Sequence, residues 1–155
     1  MHNSENIDIR QALSKFATGV TVVSTIDNSG NPIGMTANSF SSVSLNPPLV
    51  LWSIGNNQPS YDIFTNAKGY SVNILSKEQE NLCKLFSSPV DDKFEKIKFS
   101  LSENGFPIID NSLAWFDCLK WKNYPGGDHE ILVGEVKNFH AIETSPLIFW
   151  NGLLT

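Results

Sequence analysis

The spacing of apolar and polar positions changes several times along the chain, and each change predicts an element. Ile9, Leu13 and Phe16 recur at helical intervals ahead of Gly19, so "IDIRQALSKFATG" reads as a helix with a glycine stop. "VTVVSTI" is dense in β-branched residues and runs into "DNSGNP", a strand entering a turn, with the returning strand around Ile33 to Ser39. "PLVLWSI", fenced by Pro47-Pro48 and Gly55, has the short apolar pattern of a buried strand. In "NNQPSYDIFTNAKG" a proline stands where a first helical turn tolerates one and a glycine follows the end, which predicts a short helix.

"YSVNIL" alternates Tyr70, Val72 and Ile74 against Ser71, Asn73 and Leu75, a strand. "SKEQ" (Ser76 to Gln79) matches a capping box, and Leu82, Leu85 and Phe86 give the following helix one apolar face. Asp91 to Asn111 shows no clear period. "LAWFDCLKWKNY" and "HEILVGEVKNFHAI" are two further strands separated by "PGGD". Many short strands with three helices between them predict a mainly β, antiparallel barrel or sandwich with peripheral helices, not a doubly wound parallel sheet. With no repeat or linker, residues 1–155 read as one domain.

Composition narrows the partners. The chain is 41% hydrophobic and 17% charged, with a net charge of −5 and no basic run, which argues against nucleic acid or an anionic membrane. Cys83 and Cys118 have neither metal spacing nor a disulfide framework and read as small buried residues. The opening "MHNSENIDIR" is polar and acidic, unlike a secretory leader, and no apolar run nears the ~20 residues of a membrane span. A cytoplasmic location is the expectation. Ten Phe and four Trp beside so little charge suggest apolar surface buried against a second subunit.

The charge is also unevenly spread. No Asp, Glu, Lys or Arg occurs between Asp27 and Asp62. Within that gap, "GMTANSFSSVSLNPPLVLW" carries Thr36, Asn38, Ser39, Ser41, Ser42 and Ser44, and the predicted helix start lies at Asn57 to Ser60. Backbone N–H groups, hydroxyls and a helix start can hold a phosphate without lysine. A flavin ring asks for apolar packing on its faces and neutral partners on its edge. On composition alone, a strand and turn whose hydroxyls satisfy their own backbone is the plainer account. In "GGDHE" (Gly126 to Glu130), two glycines permit close backbone approach, and Asp128 can orient His129 at the mouth of a site. A turn histidine is also commonly a plain surface residue. His2 and His140 receive no role, and no dinucleotide fingerprint, P-loop, nucleophile elbow or zinc motif is present.

Read in order, "FATGVTVVST", "GMTANSFSSVSLNPPLVLWSI", "QPSYDIF", "YSVNIL", "FPIIDNSLAWFDC", "GGDHEILVGEV" and "PLIFW" resemble the flavin reductase family with the FMN-binding split-barrel fold. "TANSFSSVSLNPPL" and "GDHEILVGEV" are its specific parts. The resemblance implies an antiparallel Greek-key split β-barrel with peripheral short helices. It implies an NAD(P)H:flavin oxidoreductase that uses FMN or FAD, with NADH or NADPH as co-substrate, supplies a flavin-dependent monooxygenase and forms a homodimer. Met35, Thr36, Ala37, Asn38 and Ser39 would line the isoalloxazine edge. Ser41, Ser42, Ser53 and the loop from Asn57 to Ser60 would surround the ribityl phosphate. His129 would lie where the nicotinamide stacks, as the catalytic-site residue, with Phe149 and Trp150 covering the pocket.

Some features depart from that pattern. "IGNNQ" is neutral where relatives often carry Arg or Lys, "DKFEKIKF" lacks the usual small residues, and few residues follow "PLIFW", so a short closing element is expected. Two rivals stay open: an FMN-binding electron carrier or sensor without NAD(P)H turnover, and, ranked last, an oxidase of a pyridoxine-type substrate, whose basic phosphate ligands are missing.

Overall fold

The computed structural model describes residues 2–155, with side chains from Asp8 onward. Helix α1 (His2–Leu13) leads into a two-residue strand β1 (Thr18–Gly19) and then β2 (Thr21–Ile26). The expected run to a Gly19 stop is corrected here: the helix ends at Leu13. Ile9, Leu13 and Phe16 are exposed among the described residues, so no packing prolongs the helix, and Gly19 instead pairs with Ile148 in β1.

β2 turns through Asp27–Asn31, where Asp27 accepts from the Ser29 and Asn31 backbone N–H groups, into β3 (Pro32–Ala37). Strands β4 (Ser41–Leu45) and β5 (Pro48–Gly55) form the next hairpin, and only β5 was visible as a strand in the apolar pattern. On β5, Val50, Trp52 and Ile54 are buried and alternate with partly exposed residues, the signature of a strand with one face inward. The short α2 (Tyr61–Asn66) leads to β6 (Gly69–Ile74). β6 is buried on both faces because it lies between neighbours in the middle of the sheet.

The predicted capping box is at Ser76, whose N–H donates to Gln79 Oε1 at 3.0 Å, and it opens a 3-10 turn into α3 (Glu80–Ser87). Leu82, Cys83 and Phe86 are buried along α3. The unassigned stretch resolves into a 3-10 turn at Lys93–Lys96 and a small hairpin, β7 (Phe99–Leu101) and β8 (Pro107–Ile109). The long pair β9 (Ala114–Gly126) and β10 (His129–Ala141) follows, then β11 (Ile148–Trp150) and β12 (Leu153–Leu154).

All strand pairs described are antiparallel, and the main sheet runs β3-β2-β6-β9-β10-β5-β4. Its two edge strands, β3 and β4, are joined by Asn38, Ser39 and Phe40 alone. At ~3.5 Å per residue such a link reaches only ~14 Å, so the sheet must curl to bring the end of β3 and the start of β4 within that distance. Inside the curl sits one core cluster, Val23, Val50, Trp52, Ile54, Phe64, Tyr70, Val72, Cys118 and Leu132, with Met35, Ala37 and Phe40 packed against it. Trp52 lies edge-on to Phe64 and Tyr70, at centroid distances of 4.9 and 6.0 Å. A second cluster on the other side of β2 takes in Val20, Val22, Leu82, Cys83 and Phe86 under α3, with Phe149 packed against it. Both cysteines are buried and free, as their composition suggested.

Candidate functional site

Alternation along the strands decides which candidate side chains share a face. His129 is register partner to Gly55 and Ile131 to Ser53, so these four lie on one face of the β5–β10 pair. Gly55 brings no side chain to that face. A Cβ there would lie 3.8 Å from His129 Nε2 and 3.6 Å from Gln58 Cγ, so the glycine leaves a hollow between the two. His129 is itself held from its other side: Nδ1 lies 2.7 Å from Asp128 Oδ1. That hydrogen bond holds the Asp128 carboxyl below its ordinary value, and it leaves Nε2 facing the hollow.

The turn that carries His129 is tight. Gly126 and His129 are register partners, so only Gly127 and Asp128 form the loop, and Gly127 sits at φ +69°, where a first turn position favours glycine. The turn lies within "PGGD", and β9 runs two residues further than expected, through Pro125 and Gly126. Asn56 N–H donates to Asp128 O at 2.9 Å and Asn56 Nδ2 to Gly127 O at 3.3 Å, which ties the turn to the loop after β5.

The hydroxyl-rich segment divides into committed and uncommitted groups. Thr36 points toward α3 and donates to Cys83 O at 2.8 Å. Met35 and Ala37 face the inner cluster. Ser39 clips the β3–β4 link onto β5, donating to Ser53 O at 3.1 Å and accepting from Ser53 N–H at 2.9 Å. Ser60 Oγ lies 3.8 Å from Met35 Sδ and gives α2 no side-chain cap. Asn38, Ser41, Ser42 and Asn57 are exposed, with the Ser41 hydroxyl turned to Ser42 O. Because β3 and β4 are the sheet's two edges, alternate backbone N–H and C=O groups along both have no strand partner among the described residues. Neutral donors therefore line both sides of the gap that Asn38–Phe40 spans, a set that suits the edge of a planar, polar-rimmed ring.

α2 has six residues, too few for a strong terminal dipole, so the Asn57–Ser60 loop offers its own amides and hydroxyl rather than a helix end. Phe149 and Trp150 sit in the small β1-β11-β12 sheet, where Trp150 Nε1 donates to Lys15 O at 3.1 Å and Phe149 packs under α3. The structure groups them with the turn after α1 and with α3. Sequence reasoning missed the hollow at Gly55 and the partners of Glu130. Both depend on cross-strand register, which no local pattern reveals.

A profile of the Flavin reductase like domain matches residues 13–154. The chain belongs to this flavin reductase family. Among its relatives, the reductase component of the flavin-dependent trigonelline monooxygenase of Acinetobacter baylyi is 42% identical over 145 residues, which cover 94% of this chain and 47% of that one. The FMN reductase (NADH) SmoA of Agrobacterium fabrum is 40% identical over 92% of this chain and 81% of its own length. Among solved structures, the NADH:FAD oxidoreductase SgcE6 of Streptomyces globisporus C-1027, in complex with NAD and FAD fragments, superposes with a TM-score of 0.92 at 34% identity, over 98% of this chain and 92% of that one. The chain thus spans about half the length of the first of these relatives and most of the other two. Among the described residues, no helix of this flavin reductase family member is long and apolar enough to cross a membrane.

Proposed function

We infer that the protein is an NADH-dependent flavin reductase that passes reduced flavin to a partner monooxygenase. The observation that carries this reading is the pairing of an uncharged, donor-lined gap between β3 and β4 with a histidine held over a glycine hollow. When bound, the nicotinamide supplies a hydride and the flavin accepts it; the chain's work is to place the two rings at reacting distance. Asn38, the free edge of β3 and the main chain of Met35, Thr36, Ala37 and Ser39 hold the ring edge. Ser41, Ser42, Ser53 and the Asn57–Ser60 loop hold the polar chain. His129 braces the nicotinamide side through Nε2, with its other nitrogen fixed by Asp128. No protein nucleophile is needed.

The relatives' names support NADH as reductant and FMN or FAD as acceptor. The curled sheet with a three-residue link between its edges supports the Greek-key split barrel as its finer description. The exposed Phe16, Leu45 and Phe139 support a homodimer, in which Phe149 and Trp150 would help cover the pocket.

The reading is tested by mixing the protein with NADH and excess FMN, then FAD, and following the nicotinamide absorbance. Many flavin equivalents reduced per protomer are expected. One bleaching event per bound flavin would instead favour the carrier, a reading that the neutral loop, with no cation to grip a phosphate, keeps in play.

A further inference from the structure

Strand alternation sends Glu130 to the face opposite His129. Its register partner is Ile54, so its carboxylate lies on the side of the inner cluster, at the end of the sheet nearest α2. Each of its oxygens is taken. Tyr61 Oη donates to Oε1 at 2.9 Å, and Asn123 Nδ2 donates to Oε2 at 3.2 Å. Asn123 Nδ2 also reaches Thr65 O at 3.0 Å, beside Lys120 Nζ on the same carbonyl at 2.8 Å.

Tyr61 and Thr65 are one turn apart on α2, and Asn123 and Lys120 lie on β9. One side chain of the His129 hairpin therefore reaches both the first turn of α2 and the neighbouring strand. The bond to Glu130 also holds the Tyr61 hydroxyl above its ordinary value. A carboxylate suits this place because both partners are donors; a carboxamide could accept from only one of them.

The placement matters because α2 cannot hold itself. It is six residues long and its Ser60 N-cap makes no side-chain cap bond. Tyr61 follows directly on the Asn57–Ser60 loop, and Glu130 follows directly on His129. The same two segments are also joined by the pair of Asn56 bonds to the turn, by the Gly55–His129 pairing of the β5–β10 ladder and by the Lys120 and Asn123 bonds to Thr65 O, but among these ties only Glu130 reaches the first residue of α2.

We propose that Glu130 is a positioning residue that, through Tyr61 and Asn123, fixes the Asn57–Ser60 loop and His129 in register with each other. It rests on the proposed function only for what those segments bind: flavin on one side, nicotinamide on the other. Loss of the strut should therefore weaken both ligands together.

The test compares Tyr61→Phe, Glu130→Gln, Glu130→Ala and the double variant Tyr61→Phe/Glu130→Ala with the wild type. Amide hydrogen exchange is read on the ligand-free proteins, and KM for NADH and FMN on the loaded ones. Tyr61→Phe should speed exchange at both Asn57–Ser60 and Gly127–His129 and raise both KM values about tenfold, the scale of one hydrogen bond to a charged acceptor. The double variant should be no worse than Glu130→Ala alone, because the two residues act as one unit. Glu130→Gln, which keeps the Tyr61 bond and sets a donor against Asn123, should fall between.

Unchanged exchange at the His129 turn in Tyr61→Phe, a double variant whose effects multiply, or a lowered melting temperature with both KM values unmoved would each overturn the proposal. If the wild type oxidises no NADH with either flavin, the reductase reading fails, and the exchange measurements still decide whether the strut exists.

Discussion

At Gly55, a single missing Cβ separates a site from a plain strand. Gly55 has no positive φ, and an added Cβ would meet only ordinary contacts at 3.6 and 3.8 Å. Gly55→Ala should therefore fold and melt like the wild type while filling the hollow beside His129, and KM for NADH should rise several-fold. An unchanged KM would remove the hollow from the nicotinamide site. Gly134 is the contrasting case. There a Cβ would lie 2.7 Å from Tyr70 Oη, the group that donates to Leu132 O at 2.9 Å inside the sheet. Gly134→Ala should lower stability by about 1–3 kcal/mol through overpacking, measurable as a denaturant midpoint. His129→Ala removes the ring but leaves the β3–β4 gap intact. It should raise KM for NADH more than KM for flavin, and steady-state kinetics showing the reverse would contradict its placement.

Among the elements, the β7–β8 hairpin depends most on a single buried charge. Asp117 on β9 is fully buried and accepts from Ser102 Oγ at 2.8 Å, Asn104 Nδ2 at 2.9 Å and Asn138 Nδ2 at 3.2 Å. Asp117→Ala would strand these donors and should cost about 3 kcal/mol, with faster hydrogen exchange first at Ser102–Phe106. This hairpin is also where the sequence was least legible. Its strands are three residues long, and what holds them is Asp117 together with the buried Ser71 and Asn73, which reach Pro107 O and Ile109 N–H from the next layer. None of that leaves a period in residues 91 to 111. β5, β6 and α3 were legible because each buries one regular face, or two, within its own length. The α1 stripe misled for the opposite reason: its spacing is helical, but Ile9, Leu13 and Phe16 stay largely exposed among the described residues. In the site, the uncharged segment was plain in the sequence. That Thr36 serves α3 while Ser39 serves β5 was not, because a hydroxyl's partner is chosen by tertiary approach.

For the whole molecule, the exposed apolar side chains bear on the proposed homodimer. Leu45 is 93% exposed at the end of edge strand β4, Phe16 is 79% exposed after α1 and Phe139 is 72% exposed on β10. Fully burying one such side chain contributes about 1.5–3 kcal/mol, so their burial against a second copy would favour association without by itself setting its strength. β4 also borders the donor-lined gap, through the same link that carries Asn38 and Ser39. Assembly and flavin binding should therefore be coupled if Leu45 lies at the subunit boundary. Light scattering on the purified protein is expected to give twice the 17.2 kDa protomer mass. Leu45→Glu should shift that mass toward one protomer and weaken FMN binding in the same titration, while the secondary structure seen by circular dichroism stays unchanged. A wild-type protein that scatters as a single protomer would remove the dimer. A Leu45→Glu protein that dissociates yet binds FMN as tightly as before would leave the dimer standing and show that each protomer's gap between β3 and β4 is complete in itself.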